Sequence, residues 1–184
     1  MYDTDRPDVQ QPDHGNAYDV APMTEPASPS SSTTTARVSV RLEHGPIVVP
    51  PEEGATEGGA SCRFVGITRP ETDPDRGPLR ALEYEACEDI ALEGMRELAT
   101  SIADRHRLHR ITMVHALGTV PVGEASVLIE VLADHRAQAF DGCRQGIDRL
   151  KAEIPIWKRE CWRDGATWSS STRPLPQSID GSTD

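Results

Sequence analysis

Apolar and polar positions change rhythm several times along this chain. Val38, Val40 and Leu42 alternate with Arg37, Ser39 and Arg41, the two-residue period of a half-buried strand over 37–42. A stretch rich in Pro, Glu and Gly follows at 43–60, read as loop with a short helical turn near Pro51-Glu52-Glu53. Cys62–Arg69 has the aromatic and β-branched content of a second strand. Residues 70–78 carry strong loop punctuation, and Leu79–Cys87 alternates again, with Leu82, Tyr84 and Ala86 opposite Glu83 and Glu85.

The period then lengthens. Ile90, Ala91, Met95, Leu98, Ala99 and Ile102 recur at helical spacing, with Asp89 or Glu88 as the expected cap and arginines at the end near Arg107. Arg110–Leu117 reads as a strand closed by Gly118, followed by a turn at Val120-Pro121-Val122-Gly123. Ser126–Leu132 is so continuously apolar that it predicts a central strand. Asp134 is expected to cap a helix whose buried face is Phe140, Cys143, Ile147 and Leu150. Pro155 should end that helix, because proline lacks an amide hydrogen and clashes with the preceding turn. Beyond it, Ile156, Lys158 and Glu160 share one side of a strand and Trp157, Arg159 and Cys161 the other. Arg163-Asp164-Gly165 suits a tight hairpin turn flanked by Trp162 and Trp168. Strands that often follow one another directly, with helices near 89–107 and 137–152, predict an α+β domain with a largely antiparallel sheet.

Composition narrows the domain and its setting. Large apolar side chains are scarce in residues 1–36, which predicts a disordered acidic, Ser/Thr/Pro-rich tail. The folded domain is placed at 37–172 and a flexible C-terminal tail at 173–184. A net charge of −11 argues against an extended nucleic-acid surface, which needs a basic stripe. Neither a signal peptide nor a membrane span is visible, so the expected location is the cytoplasm. Cys62, Cys87, Cys143 and Cys161 are widely separated, which predicts free thiols rather than a disulfide framework or zinc site. His106 and His109 lie among arginines, so no metal is expected there, nor any cofactor elsewhere.

Against this acidic background Arg69, His135, Arg136, Lys151, Lys158 and Arg159 stand out, each at a strand end or helix terminus. Converging, they would suit a phosphorylated or carboxylate-bearing ligand. His135 and Arg136 would sit in a helix first turn, where cations are unfavourable by about 0.3–1 kcal/mol each unless an anion lies between them. The alternatives are that Arg136 pairs with Asp134 or Asp141 and His135 caps a strand, and that Arg69 solvates a strand end. For Lys158 the alternatives are an amine held neutral by apolar surface beside Ile156, ready as base or nucleophile, and an edge-strand lysine whose ammonium stays in water. Gly-rich nucleotide loops, a Walker lysine and a nucleophile elbow are absent.

Phe64-x-Gly66-x-x-Arg69, Leu82-Glu83-Tyr84-Glu85-Ala86, His115-x-x-Gly118, Val122-Gly123-Glu124, His135-Arg136-x-x-Ala139-Phe140 and Leu150-Lys151-x-x-x-Pro155-Ile156-Trp157-Lys158-Arg159-Glu160 occur together in this order. The set resembles the large, catalytic subunit of molybdopterin synthase, over roughly Val38 to Trp168. Two positions depart from that family: Cys87 stands where an aromatic residue is usual, and Ala116 where arginine is.

The resemblance implies an α/β-hammerhead fold and a dimer of large subunits. It further implies a small ubiquitin-like sulfur-carrier subunit at each end, forming a heterotetramer. The carrier's C-terminal Gly-Gly thiocarboxylate would deliver sulfur to cyclic pyranopterin monophosphate (precursor Z), and two rounds would build the molybdopterin dithiolene. Lys151 and Lys158 are then the expected catalytic residues, with Lys151 closest to the carrier terminus. Arg69, His135 and Arg136 would bind phosphate, and Ile67, Thr68, Arg159 and Glu160 would line the site. The resemblance puts His135 and Arg136 of one chain beside Arg69, Lys151 and Lys158 of the other. Competing readings are a non-catalytic carrier-binding partner and a general anion-binding domain.

Overall fold

The computed structural model describes residues 36–169 apart from 53, 55 and 56. The expected tails, apart from residue 36, lie outside the described residues. The elements run β1 (Arg37–His44), β2 (Ala60–Ile67), β3 (Thr72–Asp73), β4 (Gly77–Ala86), α1 (Glu88–His106), β5 (Arg110–Pro121), β6 (Ala125–Ala133), α2 (Arg136–Glu153), β7 (Ile156–Trp162) and β8 (Gly165–Trp168).

The long strand β5 is the spine of the sheet. On one edge it pairs antiparallel with β6, and β6 pairs in turn with β2. On its other edge it runs parallel to β1 and then pairs antiparallel with β4 over Gly118–Pro121. β4 hands the ladder to β7, and β7 to β8. Apart from β1–β5, the pairings among the described residues are antiparallel, as the sequence predicts. The strand does not close at Gly118. That residue takes φ +71°, a conformation open to glycine, and the strand bends there from one partner to the next. The ladder with β4 makes strand of what local punctuation marks as turn.

Both helices cover one face of the β1-β5-β6-β2 layer. Met95, Ile102, Ile111, Met113, Ile129 and Leu150 are fully buried there, each contributing roughly 1.5–3 kcal/mol. On the opposite face Ile47, Val114, Ala116, Val120 and Leu128 form a smaller cluster. With both faces covered, β6 is buried at every position, matching its continuous apolar run. Its one carboxylate, Glu130, is held by Arg63 Nε at 2.7 Å and Arg110 Nη2 at 3.1 Å.

Several local expectations need correcting. Residues 51 and 52 form no helical turn. Cys87 rather than Glu88 or Asp89 occupies the cap of α1, with no side-chain cap bond, and the two acids sit in the first turn, where the helix dipole favours them. The cap of α2 is His135, whose backbone N–H donates to Gln138 Oε1 at 3.1 Å. Asp134 lies 2.7 Å from His109 Nε2 instead. Phe140 is 61% exposed, because the buried stripe of α2 runs through Ala139, Cys143, Ile147 and Leu150, and Phe140 is rotated off it by one residue. α2 ends as expected: Ile154 has the extended conformation that a residue before proline prefers.

Candidate functional site

The C-terminal end of α2, the start of β7, the end of β2 and the middle of β4 and β5 enclose a cleft of about 820 Å³. Two local features shape it. At Gly66 the strand β2 lies so close to Val127 that a Cβ would fall 2.4 Å from its Cγ1, and the register with β6 slips between Gly66 and Ile67. That irregularity leaves Ile67 58% exposed and brings Arg69 to the rim, its Nε 2.6 Å from Glu71 Oε1. On the other side, the break at Pro155 lets α2 and β7 contribute Lys151 and Lys158 to the same cleft.

Lys151 sits in the last turn of α2, where the helix dipole favours a cation. Lys158 Nζ is 3.9 Å from Glu160 Oε1, a long ion pair, and its side chain is 31% exposed. β7 is no edge at this point. Lys158 lies opposite Tyr84 on β4, and its carbonyl accepts from Ser169 N–H at 2.9 Å. The lysines therefore stand on a braced backbone with their side chains still reached by water.

Deeper in the cleft is a group that the residue-by-residue reading does not assign to the site. His115 is 7% exposed and lines the cleft. Its Nδ1 lies 2.8 Å from the Ala116 carbonyl oxygen, and its ring meets that of Tyr84 edge-on with centroids 4.9 Å apart. Burial chiefly, and the Lys151 charge in addition, push its pKa down to about 4 against the carbonyl's opposing pull. Burial likewise raises the Tyr84 phenol, opposed by a hydrogen bond with Ser126. The sequence carries a faint signal, a lone histidine within the apolar run of β5, and a buried imidazole needs a polar partner or a ligand.

Not every expected residue comes to this cleft. Ile67, Arg69, Lys151, Lys158 and Glu160 line it. Thr68 does not: it is 1% exposed, it is not part of the cleft wall, and its Oγ1 has no hydrogen-bond partner among the described residues. Its peptide is pinned by the turn that follows β5, through Glu124 O and Gly123 N. Arg159, on the opposite side of β7, pairs with Glu83 and lies 5.7 Å above the Trp168 ring. His135 and Arg136 line a second, shallow depression with Gly59, Ala60, Asp134 and Ala137. Arg136 and Lys151 both lie on α2, 15 residues apart, which at about 1.5 Å each separates this depression from Lys151 by roughly 22 Å. One chain therefore cannot close all the expected cations around one ligand.

Among the described residues no group of three or more His, Cys, Asp or Glu side chains could hold a metal ion. No helix there is long and apolar enough to cross a membrane.

A family model described as MoaE protein matches residues 43–153. The molybdopterin synthase catalytic subunit of Oryza sativa subsp. indica is 39% identical over 126 residues, covering 68% of this chain and 64% of the rice protein. This chain thus spans somewhat less than two thirds of that relative's length. In three dimensions the chain is similar to the crystal structure of molybdopterin synthase from Staphylococcus aureus, at TM-score 0.57 and 31% identity over 60% of this chain and 80% of that one. A structure titled as the complex of subunits 1 and 2 of molybdopterin-converting factor from Helicobacter pylori has the same fold, at TM-score 0.58 and 21% identity over 74% and 94% of the two chains.

Proposed function

The chain belongs to the MoaE protein family, and from that premise we propose that it is a molybdopterin synthase large subunit acting in the cytoplasm. In this reading it transfers sulfur from the thiocarboxylated C-terminus of a small carrier subunit to precursor Z. The observation that carries the proposal is the meeting of Lys151 and Lys158 in one cleft, from two elements that the Pro155 break brings together.

Each residue has a task that its position suits. The thiocarboxylate is an anion, and Lys151 at the end of α2 is placed to hold it beside the electrophilic carbon. Lys158, braced on both strand edges and water-accessible, is placed to exchange protons as oxygen leaves and sulfur enters. Glu160 limits the swing of its ammonium. Arg69, on the rim and bound to Glu71, can turn to a phosphate. His135 and Arg136 belong to the cleft of a second copy, which would make the dimer a requirement of the site. This follows the family resemblance and fits the length of α2.

Incubating the purified chain with precursor Z and a thiocarboxylated carrier should yield molybdopterin. A chain that binds the carrier and leaves precursor Z unchanged would be a non-catalytic partner, and the reading would fail.

A further inference from the structure

The imidazole of His115 is committed at one nitrogen and open at the other. A carbonyl oxygen only accepts, so the 2.8 Å contact with Ala116 O requires the proton on Nδ1. In the neutral ring Nε2 then carries a lone pair. That atom has no hydrogen-bond partner among the described residues, yet it is not among the side-chain atoms sealed from solvent without a partner. Since His115 is 7% exposed and lines the cleft, the lone pair opens on the cleft. The ring is also held in place, by the Ala116 carbonyl on one edge and by the Tyr84 ring at 4.9 Å.

The surroundings keep this group an acceptor. Burial and the nearby Lys151 charge hold the ring neutral at physiological pH, so it neither donates from Nε2 nor carries positive charge to attract phosphate. An anion would find lysines and Arg69 at the rim and a lone pair at His115. A ligand's N–H group would find the reverse. The cleft, at about 820 Å³, is of the size that takes a drug-sized ligand.

Resting on the proposed function, we propose that His115 Nε2 is a specificity-determining acceptor that binds a ring N–H of the reduced pterin of precursor Z, orienting the heterocycle while the cations hold its phosphate. The same N–H chemistry is offered by the Gly-Gly amides of the carrier. The pterin is the favoured source, because His115 is a buried wall residue whereas Arg69 and Lys151 are exposed.

The test uses the full chain with precursor Z and thiocarboxylated carrier. Wild-type formation of molybdopterin is the control, and its failure would sink the proposed function rather than this inference. His115→Phe removes the acceptor and keeps a ring. It should raise the half-saturation concentration of precursor Z about tenfold, as expected for one lost hydrogen bond in a closed site. Turnover at saturation and carrier affinity should stay within about twofold, since neither the cations nor the dimer is touched. His115→Gln, whose amide oxygen can accept, should recover part of the loss.

In the wild type, with histidine labelled by nitrogen-15, the Nε2 resonance should move on adding precursor Z and stay put with inorganic phosphate or carrier alone. This measurement decides the matter even if a variant does not fold. An unmoved Nε2 signal, an unchanged half-saturation in His115→Phe, or a loss that falls on carrier affinity or on turnover at saturation would each overturn the assignment.

Discussion

The two ends of α2 carry cations in opposite relation to the same helix dipole. At the C-terminal end Lys151 sits where the dipole favours positive charge, beside a deep cleft with Lys158, Glu160 and His115 already in place. At the N-terminal end Arg136 opposes the dipole behind the His135 cap, no acidic residue occupies the first turn, and the preceding Asp134 is engaged by His109. That end is shallow and exposed, with Phe140 standing clear of the core beside it. The contrast teaches that one end has its cleft walls finished within a single chain, while the other offers its cation without a deep cleft of its own. A cation kept at an unfavourable place, with apolar surface next to it, is what the proposed second copy would use.

The largest effect should come from the finished end. Lys158→Arg keeps the charge but exchanges a compact ammonium for a wide guanidinium that does not give up its proton near neutrality. Turnover should fall about 10²-fold or more while carrier binding persists, the size expected for loss of a general acid–base group. Lys151→Arg should behave alike. Near-normal molybdopterin formation by both variants would reduce this end to electrostatic scaffolding and erase its difference from the other.

Depth is the second point of contrast, and pH reads it. His115 has its pKa lowered from 6.5 to about 4 in the folded chain. Between those values the unfolded chain binds more protons than the native one, so native stability falls as pH drops from about 6.5 to about 4. The fall should amount to about 3 kcal/mol. Chemical denaturation at a series of pH values should show this slope, and His115→Phe should flatten it. Asp73, held down to about 2 by Arg76 and by backbone N–H groups, loses its contribution in a lower window as pH falls below its ordinary 3.8. A slope that survives in His115→Phe would place the titrating group elsewhere.

At the unfinished end, Arg136→Ala should raise the half-saturation concentration of precursor Z about tenfold with an unchanged melting curve, because a first-turn cation contributes to ligand contact more than to packing. Mixing Arg136→Ala with Lys151→Ala sharpens the point. If each site draws on both chains, mixed dimers regain one intact site while each parent remains defective. No recovery on mixing would mean that the two ends act separately.

The ease of reading these regions from the sequence follows the range of the forces involved. β6 and the helices were legible because a continuous apolar run and a 3.6-residue period reflect burial on two faces and on one. The Pro155 break was legible because its cause lies in proline itself. The run of β5 through Gly118 was not, since only the distant ladder with β4 makes that glycine a strand residue. The cap of α2 lies one position from the expected Asp134 for a similar reason, Asp134 being drawn off by His109, 25 residues earlier in the chain. Lys151, Lys158, Arg69, Ile67 and Glu160 line one cleft, a grouping open to sequence reasoning because their motif is compact or ends a strand. Alternation placed Arg159 on the far side of β7 from Lys158, as the structure does. His115 is visible as a motif letter and its Ala116 contact is local to β5, but its enclosure depends on cleft walls from β2, β4, β6, α2 and β7.

The smallest expected effect concerns Thr68, which sequence position sets between two cleft residues. The irregularity that turns Ile67 and Arg69 outward turns Thr68 inward, so its hydroxyl is buried without a partner. Such a group costs more to desolvate than it returns, and Thr68→Val keeps the shape while removing it. Stability should stay level or rise by up to about 1 kcal/mol, and turnover should change by less than about twofold. The measurement is a denaturation curve beside a molybdopterin assay. A tenfold loss of turnover with intact stability would show the hydroxyl reaching the ligand. The wall of the cleft would then be thinner at β2 than the finished end of α2 requires, and the contrast between the two ends would rest on Lys151, Lys158 and His115 alone.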